Sequence, residues 1–351
     1  MSNVLELARP DILRLQPYQH AAWDPSLERM HANEMPWRAT GDDSGAGLNR
    51  YPEPQPRALV ERMAALYGVS VDQVLVGRGS DEAIDLLTRA FCRAAVDAVV
   101  TCPPTFGYYK VAAKIQGAEV VEVPLVTPGF ALDTTAVITA GRKARIVFLC
   151  SPNNPTGNLL DEGAMLEVCT SLADQALVCV DEAYLEFSHR GSLTARLAKH
   201  PNLVVLRTLS KAYALAGARC GTLIADPSVV ELLRRIIPPY ALPATTVESV
   251  LELTDEVRAA EVRKRIETIL GEREVLRAAL TRLPLIEHAL PSDANFVLVQ
   301  CRDARRVLES GRLAGLLVRD FSAYPGLERC LRVSVGTPEQ NQRLLAAVER
   351  A

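Results

Sequence analysis

Between Val71 and Ala225, short apolar runs alternate with stretches of helical periodicity. Val74–Val76 is followed by the polar turn Gly77–Ser80. Then comes Asp81–Phe91, where Ala83, Ile84, Leu87, Ala90 and Phe91 recur at helical spacing. Further strands are predicted at Ala98–Thr101, Val120–Val123, Ile146–Cys150, Leu177–Val180, Leu203–Leu206 and Thr222–Ala225. Runs such as LVCV and IVFLC are apolar at nearly every position, as expected of strands covered on both faces. Strands alternating with helices predict an α/β fold built on a large, mostly parallel sheet.

The pattern changes after this region. Thr254–Leu283 reads as one long charged helix, with Val262, Ile266, Ile269, Arg273, Leu276 and Leu280 on a common face. Strands are expected at Asn295–Gln300 and Cys330–Val335, with helical patterns between and after them. This predicts a smaller α+β unit. At the other end, the loose stretch Thr40–Asn49 and the Pro-rich Tyr51–Pro56 read as an arm and loop. The expected division is residues 1–50 as N-terminal arm and part of the small domain, and 51–253 as the large domain. Residues 254–351 are the long connecting helix and C-terminal small domain.

A chain of 351 residues suits one large unit and one smaller one. The 39 basic and 42 acidic residues give a net charge of −3, with no basic excess to bind nucleic acid. No uninterrupted apolar run approaches a membrane span, and the first thirty residues lack the pattern of a secretory signal. None of the eight cysteines forms a C-x-x-C pair, so buried thiols in a reducing cytoplasm are expected. The five histidines are scattered without ligand spacing; no metal site and no catalytic histidine is predicted.

Ligands of open α/β sheets sit beyond the carboxyl ends of the strands. The polar residues that follow the predicted strands are Gly79-Ser80-Asp81, Thr105-Phe106, Asn153-Asn154, Asp181 with Tyr184, and Thr208-Leu209-Ser210-Lys211. Asp181 ends a buried strand, where a carboxylate needs a cationic partner to stay charged. It reads either as a cap or surface residue, or as the partner of a protonated pyridine nitrogen. Lys211 is either a solvent-facing lysine or an amine freed for imine formation by desolvation. Thr208, Ser210, Arg219 and the backbone N–H groups of a helix starting near Ser80 could together bind a phosphate.

RTLSKAYALAGARCG (207–221) resembles the cofactor-lysine segment of fold-type I aminotransferases, which use pyridoxal 5′-phosphate. SPNNPTG (151–157) and DEAYLEF (181–187) are similar to the two motifs that precede it in that family. More narrowly, LQPYQ (15–19), ANE (32–34), NRYPEPQP (49–56), GRGSDEAIDLL (77–87), CPPTFGYY (102–109) and LRVSVGT (331–337) resemble the histidinol-phosphate aminotransferases. Together these motifs reach from residue 15 to 337.

The resemblance implies a fold-type I transferase in which Lys211 is the Schiff-base lysine and proton carrier. It implies that Asp181 holds the pyridine nitrogen, Asn154 and Tyr184 hydrogen-bond the phenolic oxygen, and Phe106 stacks on the ring. Ser80, Asp81, Thr208, Ser210 and Arg219 would line the phosphate. Tyr51 would reach it from the partner subunit, which requires a homodimer with shared sites. Arg332 would hold the anionic end of the substrate, helped by Arg319, Tyr18 and Asn33; read bare, the last three are surface or turn residues. The implied reaction joins histidinol phosphate and 2-oxoglutarate, giving imidazole acetol phosphate and glutamate, in histidine biosynthesis.

Two positions depart from the family pattern: Phe106 replaces the usual tyrosine, and Ser80 a small apolar residue. The same motifs are similar to those of aromatic aminotransferases and threonine-phosphate decarboxylases. A cofactor-binding protein without catalysis is a further alternative, against which the set of Lys211, Asp181, Asn154 and Tyr184 argues.

Overall fold

A computed structural model of the chain describes residues 4–20, 24 and 26–351. Its larger sheet contains β1 (Val74–Gly77), β2 (Ala98–Thr101), β3 (Glu119–Glu122), β4 (Ile146–Cys150), β5 (Leu177–Asp181), β6 (Leu203–Thr208) and β7 (Gly221–Ile224). Their order is β1-β7-β6-β5-β4-β2-β3. The run from β6 to β3 is parallel, whereas β7 is antiparallel to both β6 and β1. The strands lie within two residues of their predicted bounds. The reversed direction of β7 leaves no mark in an apolar run.

Successive side chains of a strand point to opposite faces. Ile146, Phe148 and Cys150 therefore pack in one core with Ile84, Leu87 and Phe91 of the helix Ser80–Phe91. Val147 and Leu149 pack in the other with Met165 and Val168 of the helix Glu162–Ser171. Both faces are covered, which explains why these strands are apolar throughout.

The smaller sheet contains β8 (Ile286–Ala289), β9 (Phe296–Cys301), β10 (Arg319–Asp320) and β11 (Cys330–Ser334), all antiparallel in the order β10-β11-β9-β8. The sequence pattern anticipated β9 and β11 only. β10 is two exposed charged residues and carries no apolar signal.

A separate helix, Ala244–Leu253, precedes the long helix expected over Thr254–Leu283, which runs as one element over Glu256–Leu280. Asp255 starts the long helix by accepting the Arg258 N–H, as an N-cap does. The expected inner face is the more buried one: Val262, Arg273, Leu276 and Leu280 are buried, and Ile266 and Ile269 partly so. Arg273 donates to Phe187 O at 3.0 Å and Ala294 O at 3.1 Å, tying this helix to the loops after β5 and before β9.

Val4, Leu7 and Ala8 belong to the core of the large sheet. This part of the arm thus packs on the large unit and not on the small one. Among the described residues between 14 and 56, no helix or strand is present.

Candidate active site

Parallel strands bring their carboxyl ends to one edge of the large sheet. Asp181, the last residue of β5, lies in register between Cys150 of β4 and Leu206 of β6. Beyond this edge is a cavity of about 170 Å³. Ten predicted site residues line it: Ser80, Asp81, Phe106, Asn154, Asp181, Tyr184, Thr208, Ser210, Lys211 and Arg219.

One end of the cavity is an anion cradle. The helix Ser80–Phe91 directs its N-terminus there, where unpaired backbone N–H groups and the helix dipole favour negative charge. Thr208 and Ser210 add hydroxyls that bond each other at 3.0 Å. Arg219 contributes a guanidinium, 3.3 Å from the Asp81 carboxylate. Two glycines permit this closeness. A β-carbon on Gly221 would lie 2.5 Å from the Gly79 carbonyl carbon and 2.7 Å from the Ser80 nitrogen. Gly79 itself has a φ of +88°.

Asp181 occupies the floor. Its Oδ2 accepts from the Tyr109 hydroxyl at 2.8 Å and its Oδ1 from the Ala183 N–H at 3.1 Å. Burial raises its pKa to about 6, against the lowering effect of those hydrogen bonds and of Lys211. Among the described residues it has no ion-pair partner within contact distance. Lys211 stands at the mouth, solvent-accessible, with Nζ 5.6 Å from the Tyr184 ring centroid. Desolvation lowers its pKa first, and the charge of Arg332 adds to this; Asp81 and Asp181 oppose it.

The other wall joins the two sheets. Arg332 of β11 donates to Asn154 Oδ1, and Asn154 Nδ2 lies 3.4 Å from the Tyr184 hydroxyl. The Arg332 guanidinium rests over Phe296 at 5.1 Å and Phe321 at 5.3 Å, and burial lowers its pKa. Its Nε is buried without a partner among the described residues. Arg319 is the cross-strand neighbour of Arg332 and lies 5.8 Å from the Phe321 ring.

Three predicted residues lie elsewhere. Tyr18 is exposed beside a separate cavity of about 670 Å³. Asn33 and Tyr51 border a third, and Tyr51 stacks on Tyr240 with centroids 4.5 Å apart. The structure therefore does not bring Tyr18 or Asn33 to the cavity, because the arm packs on its own loop. Glu34 is the organiser there: its buried carboxylate accepts from the Tyr51 N–H at 2.7 Å and from Arg50 at 3.0 Å.

Sequence reasoning assigned no role to Glu34, Tyr109, Gly79 or Gly221, although each stands in a quoted motif. The spacing of Tyr109, three residues beyond Phe106 at the start of a helix, was the available signal.

The profile of the family described as aminotransferase class I and II matches residues 27–348. The chain belongs to this family. Among curated proteins it is 46% identical to the histidinol-phosphate aminotransferase of Stenotrophomonas maltophilia (strain R551-3), over 99% of this chain and 97% of that one. It is 47% identical to the histidinol-phosphate aminotransferase of Xylella fastidiosa (strain Temecula1), over 99% and 96%. Among solved structures, the histidinol-phosphate aminotransferase of Sinorhizobium meliloti in complex with pyridoxal-5′-phosphate is 25% identical. Its TM-score is 0.78, with coverage of 86% of this chain and 82% of that one. The L-threonine-O-3-phosphate decarboxylase of Porphyromonas gingivalis shares the fold, with a TM-score of 0.73 at 24% identity and 86% and 90% coverage.

Proposed function

We propose that this chain is a pyridoxal 5′-phosphate-dependent transaminase that moves the amino group of L-histidinol phosphate to 2-oxoglutarate. The observation that carries the reaction class is the meeting, in one cavity, of a lysine amine, a buried carboxylate and a glycine-lined anion cradle. The donor is inferred from the relatives' names together with the paired arginines at the cavity wall.

The residues fit the cofactor. Ser80 with its helix N-terminus, Thr208, Ser210 and Arg219 would hold the phosphate. Arg219 would then exchange its contact with Asp81 for a stronger anion. Phe106 supplies a ring for stacking. The Asp181 carboxylate would accept the N–H of the pyridine ring, a cationic partner it lacks among the described residues. Asn154 and Tyr184 would contact the phenolic oxygen. When bound, pyridoxal 5′-phosphate supplies an electron-withdrawing ring that accommodates the electron pair left at the donor carbon.

The chain's own work is then binding and proton transfer. Desolvation lowers the pKa of Lys211 Nζ, which favours the free amine, and this amine would take the proton from the amine-bearing carbon. Arg332 meets the anionic end of either substrate, a carboxylate or a phosphate monoester, with Arg319 beside it.

The homodimer with shared sites, and the contribution of Tyr51 to its partner's cradle, are part of this proposal. Tyr51 lies outside its own cavity, and Leu27, Met30, Met35, Trp37 and Leu48 are exposed on the same loop, an apolar surface suited to a second subunit. The place in histidine biosynthesis follows from the donor. Eight buried, unpaired cysteines suit a reducing cytoplasm, and among the described residues no helix is long and apolar enough to cross a membrane.

A donor panel tests the reading. Purified holoenzyme is mixed with histidinol phosphate, glutamate, phenylalanine or threonine phosphate, and cofactor absorbance is followed. Bleaching by histidinol phosphate and glutamate is expected. Preferential bleaching by phenylalanine, or carbon dioxide release from threonine phosphate, would contradict the assignment.

A further inference from the structure

Tyr109 is fully buried in the first turn of the helix Tyr108–Gln116. Its ring is parallel to that of Phe148 on β4, with 1° between planes and 4.9 Å between centroids. Phe106 meets it edge-on at 5.5 Å. A ring held from two sides fixes the direction of its hydroxyl, which donates to Asp181 Oδ2 at 2.8 Å. Burial keeps the Tyr109 phenol protonated far above its ordinary range, so it serves as a donor. The other groups acting on Asp181 are the Ala183 N–H, Asp81 and Lys211, with the Cys150 thiol in turn feeling the Asp181 charge.

We propose that Tyr109 is a positioning residue for Asp181: its hydroxyl orients the carboxylate and holds it as the anion that keeps a proton on the cofactor's ring nitrogen. This rests on the reading of Asp181 as the partner of that nitrogen. A hydrogen bond to an ionised group changes an equilibrium by roughly tenfold to a hundredfold. Burial draws a proton toward Asp181, and Tyr109 is the largest influence against this. With the hydroxyl removed, Oδ2 loses its donor. The carboxylate becomes more basic, and the shared proton moves from the ring nitrogen toward Asp181.

The test loads wild type, Tyr109→Phe and Asp181→Asn with pyridoxal phosphate labelled with nitrogen-15 in the ring, and follows the ring signal by NMR across pH. Phenylalanine keeps both ring contacts. In Tyr109→Phe the ratio of protonated to unprotonated ring nitrogen below the titration is expected to fall about tenfold, read as a shift of the nitrogen-15 signal toward its unprotonated position, with the cofactor dissociation constant raised about tenfold. An unmoved ring signal in Tyr109→Phe, with a displaced one in Asp181→Asn, overturns the role of Tyr109 and leaves that of Asp181 intact. An unmoved ring signal in Asp181→Asn overturns the Asp181 reading and the inference with it. Should Tyr109→Phe not fold, 3-fluorotyrosine at position 109 carries the test. As a stronger donor it moves the ring signal toward its protonated position, and an unmoved signal counts against the proposal.

Discussion

Arg319 and Arg332 face each other across the β10–β11 ladder, two guanidinium groups on adjacent strands beside the same phenylalanine. The charge of Arg319 contributes to the lowered pKa of Arg332. Like charges placed together are relieved by an anion, and a dianionic phosphate relieves them more than a carboxylate. Arg332→Lys loses the bidentate fork and is expected to lower kcat/KM about 10- to 100-fold with both glutamate and histidinol phosphate. Arg319→Ala should penalise histidinol phosphate and spare glutamate. Steady-state kinetics with the two donors separate these outcomes, and equal losses in Arg319→Ala would remove its role in phosphate selection.

Gly221 makes a second prediction. Its added β-carbon would meet backbone atoms of Gly79 and Ser80, which cannot rotate away as a side chain can. Gly221→Ala must push β7 from the helix N-terminus, at a stability cost of about 1–3 kcal/mol. Thermal unfolding reads that cost. Cofactor affinity should fall in parallel, because the cradle opens; full retention of affinity would place the phosphate elsewhere.

A third prediction concerns Asp181 without cofactor. Its folded-state pKa of about 6 lies above the ordinary 3.8, so the folded chain binds the proton more tightly than the unfolded one. The sign follows: folding stability falls as pH rises from about 4 to 6, and the penalty persists above. Asp181→Asn removes a buried charge, and should stabilise the cofactor-free protein at pH 8 by on the order of 1–3 kcal/mol. The gain should vanish near pH 4, while turnover is lost. Unfolding midpoints at the two pH values check it. A destabilised Asp181→Asn at pH 8 would mean the carboxylate is satisfied within the chain.

Legibility followed burial. β4 and β5 are covered on both faces, so their apolar runs announce them, and the polar residue after each run is visible as an interruption. Asp181 and Lys211 were found in this way. Strand direction is set by where the chain returns, so β7 gave no clue. β10 is exposed and charged, so it carries no apolar signal. Tyr109 was hidden for a different reason. Its ring reads as core, and only the fold brings its hydroxyl to a carboxylate 72 residues away. Tyr18 and Asn33 lie on a segment with no helix or strand, and their motifs carried no information on where it packs.

Lys211 is one of six lysines in the chain. Reducing the holoenzyme with borohydride and mapping the modified peptide asks directly which of them holds the cofactor. The expected result is a single adduct on Lys211, with Lys211→Ala unmodified there and slowed by about 10²–10⁴-fold or more. An adduct on another lysine, or near-normal turnover of Lys211→Ala, would contradict the assignment of the site.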